Sequence, residues 1–280
     1  MRMGIGLLLL LVACMGVLPS TSLADQRQDW FVSAPRPAGT YFTGDFVLGA
    51  VAGTLQRDIK IYGNANQLTL FTNGTLALPF GDVSAGFDMR IVALSLGASA
   101  GVNRSWRALT CNAGQVCTRK LRREKDYAGE WDPTTFGYGE LRAQLFLPFN
   151  DYATGVAQLT WRVSNAPSRM YDYITGIVHD GEYLRNVYML FFKHPDFGAL
   201  APTFEVLNFP VDHKRHTQMN FGFTFLTRAG LVTYNDLFVW QMMFHDAGLT
   251  GGYNNQKVYG AHMWRGPFTL LVAYRTIWTL

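Results

Sequence analysis

Charged side chains recur in the middle of otherwise apolar stretches of this chain. They share the polar face of alternating segments, and with one amide they form the set Asp88, Arg90, Glu140, Arg142, Gln144, Arg162, Arg228 and Arg275. Charges of one sign in a constriction select ions, whereas charges of both signs in a low-dielectric interior pair and fill it. The mixed signs favour a narrow or plugged interior. The excess of arginine predicts a moderate preference for anionic solutes if that interior conducts.

A second set of charges is a basic cluster, formed by Arg119, Lys120, Arg122, Arg123 and Lys125. Guanidinium groups bind phosphate oxygens in pairs, so the cluster fits an anionic lipid head group or an acidic partner. The other interpretation is a solvated loop tip. Nucleic acid is not an expected partner, because no aromatic side chain interleaves these charges and the net charge is only +4.

Hydrolytic and metal chemistry have weaker support. Aspartate and histidine are neighbours at Asp212-His213, His179-Asp180 and His245-Asp246. Adjacent residues of an extended chain point to opposite faces, so these pairs would have to lie in loops to act together. His213 and His216 are close enough to share a metal, but Lys214 and Arg215 between them repel cations. We therefore expect no enzyme activity, no cofactor and no metal site.

The elements that position these groups are long strands with period-two alternation. The clearest run is Met219–Thr233, and Gly137–Leu147 and Ala153–Val163 repeat the pattern. The runs span roughly 11–15 residues, whereas soluble strands average about 5–6 and about 9–11 tilted residues cross a bilayer. A soluble sandwich is the alternative, but its polar face would be richer in lysine and glutamate. The sequence predicts an all-β, antiparallel transmembrane barrel.

Two further motifs carry a resemblance to a known class. The segments Leu78-Pro79-Phe80-Gly81-Asp82 and Leu147-Pro148-Phe149-Asn150-Asp151 are near copies that each join two runs. The last run places Tyr274, Trp278 and Leu280 on one face. These features resemble bacterial outer-membrane β-barrels, with short periplasmic turns and a terminal signal read by the barrel-assembly machinery. The resemblance implies an outer-membrane location, contact with lipid and lipopolysaccharide, and other envelope proteins as partners.

The chain divides into three parts. Residues 1–24 are predicted to be a secretory signal, although Leu11-Val12-Ala13-Cys14 is similar to a lipoprotein processing site. Residues 25–39 form a periplasmic lead-in, and residues 40–280 form the barrel. Eleven alternating segments stand out, from Phe42–Leu55 to Lys257–Trp264 and Phe268–Leu280. Bacterial single-chain barrels have an even number of strands, so Met170–Val178 is added as the twelfth, with ten strands as the alternative.

Residues 107–135 are expected to form the principal extracellular loop. This loop contains the basic cluster, and Cys111 and Cys117 within it are spaced for a small-loop disulfide. Two unpaired thiols are the other possibility.

Three functions fit these features. A non-enzymatic barrel subunit that anchors or docks a multiprotein, envelope-spanning assembly of the secretion or surface-motility type is favoured slightly. Its support is the basic loop and the self-neutralising interior charges. A small diffusion channel with mild anion preference is the alternative, although no long inward-folding acidic loop is evident in the sequence. An outer-membrane hydrolase rests only on the Asp-His neighbours.

Overall fold

The computed structural model describes residues 37–47, 50–63, 66–78, 80–111, 129–168, 170–172, 177–194, 198–211, 213–229, 231, 236–245 and 268–280. The expected signal sequence, most of the lead-in, Cys117 and the basic cluster lie outside these residues. The processing, disulfide and loop-binding predictions therefore stay predictions.

Fourteen β-strands account for nearly all of the described chain. In order they are β1 (Gly39–Val47), β2 (Ala50–Tyr62), β3 (Asn66–Ala77), β4 (Phe80–Ile91), β5 (Leu94–Cys111), β6 (Gly129–Asn150), β7 (Ala153–Ser164), β8 (Met170–Asp172), β9 (Ile177–His179), β10 (Glu182–His194), β11 (Gly198–Val211), β12 (Lys214–Arg228), β13 (Leu237–His245) and β14 (Phe268–Thr279). Among the described residues, no helix is long and apolar enough to cross a membrane.

Twelve of these strands form one closed antiparallel barrel. Each pairs with the next barrel strand along the chain, with β7 joined to β10, and β14 returns to pair with β1. The closing register runs from Tyr41↔Thr279 to Val47↔Ala273. Because the sheet closes on itself, it leaves no unpaired edge strand. The predicted twelve-stranded, all-β antiparallel barrel is confirmed.

The strands that make up the twelve differ from those expected. The run Phe42–Leu55 is two strands, since β1 ends at Val47 and β2 begins at Ala50. Strand β5 was not expected, because its inward side chains are mostly serine and glycine and contrast weakly with the apolar face. Met170–Val178 was wrong as a barrel strand, and it contributes only the short β8–β9 hairpin. The segment Lys257–Trp264 lies outside the described residues.

The two ends of the barrel differ in their connections. Residues 63–65, 92–93, 151–152, 195–197 and 229–236 connect strands at one end, which we call the turn end. The opposite end, the loop end, has the short connections 48–49, 78–79 and 212–213 and the three longest ones, 112–128, 165–181 and 246–267. The similar Pro-Phe segments lie at opposite ends, because three strands (β4, β5 and β6) separate them. The expectation that both are periplasmic turns is therefore wrong.

The outer face of the barrel is apolar around most of its circumference. Each strand from β2 to β7 and from β10 to β13 exposes a large apolar or aromatic side chain, 40–51% accessible, at Leu55, Leu70, Phe87, Leu96, Leu141, Leu159, Tyr188, Phe204, Phe221 and Trp240. An apolar belt of this extent needs hydrocarbon or a partner surface to cover it. The alternate residues face inward, and they carry most of the polar groups.

Candidate functional site in the barrel interior

A polar cavity lies inside the barrel along strands β2 to β7. Its volume is about 240 Å³, which is room for several water molecules. Eleven inward side chains line it: Gln56, Thr69, Phe71, Asn73, Ser84, Asp88, Ser99, Tyr138, Glu140, Arg142 and Arg162. Ten of these are hydrogen-bonding or charged groups, so the cavity is suited to water and polar solutes.

Small residues on β5 keep this cavity open. The inward positions of β5 include Ser99, Gly97 and Gly101, so the large side chains of neighbouring strands lie flat against the wall. A Cβ added at Gly101 would lie 2.6 Å from the Tyr138 ring, and one at Gly97 would overlap the Asp88 carboxylate. Glycine at these two positions is therefore required by the side chains that cover them.

A chain of alternating charges, which we call the charge ladder, crosses the cavity wall. Arg142 lies 3.2 Å from Asp88 and 3.7 Å from Glu140. The other Glu140 oxygen lies 3.1 Å from Arg162, which also approaches Asp172 of the β8–β9 hairpin at 4.0 Å. The two arginines also stack on aromatic rings, at 4.0 Å from Tyr138 for Arg162 and 5.0 Å from Phe71 for Arg142.

The rest of the interior holds separate polar contacts. Arg185 of β10 donates to Glu205 of β11, whose second oxygen accepts a 2.6 Å hydrogen bond from Asn220. Arg275 of β14 binds Asp45 of β1 through two hydrogen bonds of 2.6 and 3.0 Å. Each of these ion pairs joins adjacent strands, so the inward charges on this side also bind one another.

Apolar side chains fill the interior on the β6–β11 side at both ends. At the turn end a cluster combines Phe146, Val156, Phe191, Ala199 and Ala201. At the loop end Ile177 of β9 packs among Tyr183, Leu207, Phe209 and Val211. The polar cavity on the β2–β7 side lies outside these two clusters.

The β8–β9 hairpin enters the loop end of the barrel. Ile177 is fully buried, Thr110 of β5 pairs with Met170, and the Asp172 carboxylate lies 3.7 Å from His179 and faces Arg162. This short inward hairpin was not predicted from the sequence, because its composition resembles a barrel strand and its burial depends on partners far along the chain.

The structure places the predicted interior residues in three groups. Asp88, Glu140, Arg142 and Arg162 meet in the charge ladder. Gln144 reaches Gln158 at 3.5 Å, and Arg90 lies nearer the turn end, 4.3 Å from the Phe146 ring. Arg275 belongs to the separate pair with Asp45, and the side chain of Arg228 is outside the described part.

Sequence reasoning missed several inward charged groups, namely Asp45, Asp58, Asp82, Asp172, Arg185 and Glu205. All but Asp172 sit on barrel strands at inward positions of the alternation. Extending the alternation to every strand would have found those five. The inward position of Asp172 could not be predicted in this way, because it depends on how the β8–β9 hairpin folds.

The predicted terminal signal lies on the outer face of β14. Trp278 packs against Phe42 at 5.3 Å between ring centroids, Tyr274 donates to Asp236 at 2.5 Å, and Leu280 is 58% exposed. Recognition of these residues by an assembly machinery stays a prediction.

The residues considered for hydrolytic chemistry are dispersed. His179 lies beside Asp172, whereas Asp180 accepts a 2.6 Å hydrogen bond from Ser168. His216 stacks on Phe209. Within the described residues, no group of three or more histidine, cysteine or acidic side chains could hold a metal ion.

No protein-family model and no curated protein sequence matches this chain. In structure it is similar to a NanC porin, at 10% identity and a TM-score of 0.36, over 85% of this chain and 97% of the porin. It is similar to a KdgM porin at 6% identity and a TM-score of 0.35, over 85% and 96% of the two chains. CdiB from Acinetobacter baumannii matches at 10% identity and a TM-score of 0.33, over 77% of this chain and 48% of CdiB.

Proposed function

We propose that this protein is a narrow, non-enzymatic channel of a bacterial outer membrane, through which small polar solutes diffuse. The observation that carries the proposal is the polar cavity of about 240 Å³ inside a closed barrel. A barrel that served only as an anchor would have no need of a polar cavity, and glycine at 97 and 101 keeps this one open.

The membrane location is supported by the outer face. Exposure of apolar side chains on ten strands would be unfavourable in water and is favourable in hydrocarbon. Transmembrane barrels have short periplasmic turns and longer extracellular loops. We therefore propose that the loop end faces outward. Binding of lipopolysaccharide phosphates by the basic residues 119–125, which lie outside the described residues, stays a prediction.

The size of the solute is limited by what fills the interior. The Phe146 and Ile177 clusters occupy the β6–β11 side, and the β8–β9 hairpin occupies part of the loop end. The polar cavity follows β2 to β7, so small solutes should pass and large oligomers should not.

Single-channel recording in planar bilayers tests the proposal. The refolded protein should give discrete conductance steps. Ser99→Trp would fill the cavity, because Ser99 lines it, and should reduce those steps to a small fraction. Ala100→Trp is the matched control, since the neighbouring residue faces outward and should leave conductance unchanged.

Silence from a folded wild-type barrel would contradict the channel. Equal conductance in Ser99→Trp and wild type would show that ions do not use this cavity.

A second candidate, the docking subunit, is favoured by the β5–β6 hairpin. Strand β5 has 18 residues and β6 has 22, whereas their neighbours β4 and β7 have 12 each. Strand β4 pairs with β5 only as far as Phe80↔Ser105. Beyond Ser105, most of the paired residues of β5 pair with β6 alone. This hairpin extends past the barrel wall at the loop end and offers a surface to another envelope protein.

Replacing residues 106–134 by a short turn tests this role. A tagged wild-type barrel should co-purify with a specific envelope protein, and the shortened barrel should lose it while still conducting. The same partners in both preparations would contradict docking through this hairpin.

A further inference from the structure

We propose that the cavity passes cations in preference to anions. This inference rests on the proposed channel function, and it reverses the preference that the arginine count of the sequence suggests. It depends on which charges meet in the folded interior and on what already binds them.

Both guanidinium groups at the cavity are occupied by protein groups. Arg142 faces Asp88 and Glu140 at 3.2 and 3.7 Å and lies over the Phe71 ring. Arg162 faces Glu140 at 3.1 Å and lies over the Tyr138 ring. Arg142 Nε makes no hydrogen bond but is buried, and a passing anion would have to displace a carboxylate to reach the other donors of either arginine.

Carboxylates outnumber these guanidinium groups. Five carboxylates line the cavity or bind its lining, namely Asp58, Asp82, Asp88, Glu140 and Asp172, whereas two guanidinium groups line it, those of Arg142 and Arg162. His179 beside Asp172 adds a positive charge only when protonated, and the acidic groups remain in excess even then.

Two of the five carboxylates are bound by neutral donors at the cavity. Asp58 accepts hydrogen bonds from Thr69 at 2.7 Å and Gln56 at 3.1 Å. Asp82 accepts from Tyr138 at 2.8 Å and Asn103 at 3.3 Å. Hydroxyl and amide donors stabilise a carboxylate without cancelling its charge, so the field of both groups reaches the lumen.

An excess of negative charge acts strongly in a space of this kind. Low-dielectric walls focus field lines into a narrow cleft and raise the local concentration of counter-ions. Rings of acidic side chains select cations in channels for the same reason. The cavity should therefore concentrate small cations such as K⁺ and exclude Cl⁻.

The reversal potential across a KCl gradient measures this preference. For the wild-type barrel it should shift toward the K⁺ equilibrium potential. The double substitution Asp58→Asn/Asp82→Asn removes two charges without leaving an arginine unpaired, so most of that shift should be lost. Asp151→Asn, in an exposed turn at the turn end, is the matched control and should keep the wild-type value.

The outcomes separate the two proposals. Absence of conductance would overturn the channel itself. Conductance with a shift toward the Cl⁻ equilibrium potential, or with no shift, would overturn only the cation preference. An unchanged shift in a folded Asp58→Asn/Asp82→Asn barrel would overturn it too. If that variant does not fold, the sign of the reversal potential of the wild-type barrel still tests the cation preference.

Discussion

At the scale of single residues, Arg162 has the most demanding position in the charge ladder. Its side chain is only 11% exposed and lies between Glu140 and Asp172. Arg275 also binds a carboxylate across adjacent strands, but its side chain is 42% exposed. The two ion pairs therefore share their chemistry and differ in solvent screening.

Replacing each arginine with alanine should separate these cases. Arg162→Ala leaves Glu140 with the more distant Arg142 and Asp172 with His179 as their nearest basic groups, so it should lower the free energy of unfolding by about 3–5 kcal/mol. Arg275→Ala breaks a half-exposed pair and should cost about 0–1 kcal/mol. Urea unfolding of the barrel in lipid vesicles, followed by tryptophan fluorescence, measures both. Equal losses would mean that burial does not govern the strength of these pairs.

The residues of the ladder were predictable from the sequence only in part. Alternation placed Asp88, Glu140, Arg142 and Arg162 on one face, because a strand turns every second side chain inward. It did not say which charges would meet, since Asp88 and Arg142 are distant in sequence and come together across β5. The preference for anions was inferred from an incomplete set that lacked Asp58, Asp82 and Asp172.

At the scale of elements, the β8–β9 hairpin is held in the barrel mainly by one apolar contact region. Ile177 is fully buried among Tyr183, Leu207, Phe209 and Val211, and Asp172 adds the ion pair to Arg162. A short hairpin of this kind has little stability in water by itself, so its position depends on those contacts.

Ile177→Asp should release the hairpin from the interior. A carboxylate has no cation in that apolar surrounding, and moving the segment into water avoids the cost of burying the charge. We expect larger conductance steps than in the wild type, in the same bilayer recordings. Ser168→Ala, which loses only an exposed hydrogen bond to Asp180, should not change them. Smaller or unchanged steps in a folded Ile177→Asp barrel would show that the hairpin does not narrow the path.

The number of barrel strands was predicted correctly, although several individual strands were assigned incorrectly. Strong contrast between leucine or phenylalanine and charged residues identified β6, β7 and β12. Strand β5 alternates leucine, alanine and valine with serine and glycine, and this weaker contrast was missed. The β1–β2 connection at Leu48-Gly49 has no proline, asparagine or aspartate, so the two strands merged into one run. The predicted total of twelve also counted Met170–Val178, which is not a barrel strand, and Lys257–Trp264, which lies outside the described residues.

At the scale of the whole molecule, the separation of an outer face from an interior depends on closure of the sheet. The apolar outer face and polar interior are separated only if β1 and β14 stay paired. Their register places Thr43 opposite Ile277, with both side chains facing the interior. Directly opposed residues of antiparallel strands have Cα atoms about 4.5–5.5 Å apart, which is within the range that a disulfide spans.

Cysteines at these two positions should therefore test closure directly. In a chain from which the three native cysteines have been removed, Thr43→Cys/Ile277→Cys should oxidise readily in the folded barrel. The bond closes a loop over nearly the whole barrel, so the boiled, unreduced chain should migrate differently from the reduced one. Thr43→Cys/Thr203→Cys is the control, because three strands separate β1 from β11 and the Cα atoms lie well beyond the roughly 7 Å limit. Cross-linking of the control to the same extent, or of neither pair, would mean that the first and last strands do not close the barrel in membranes.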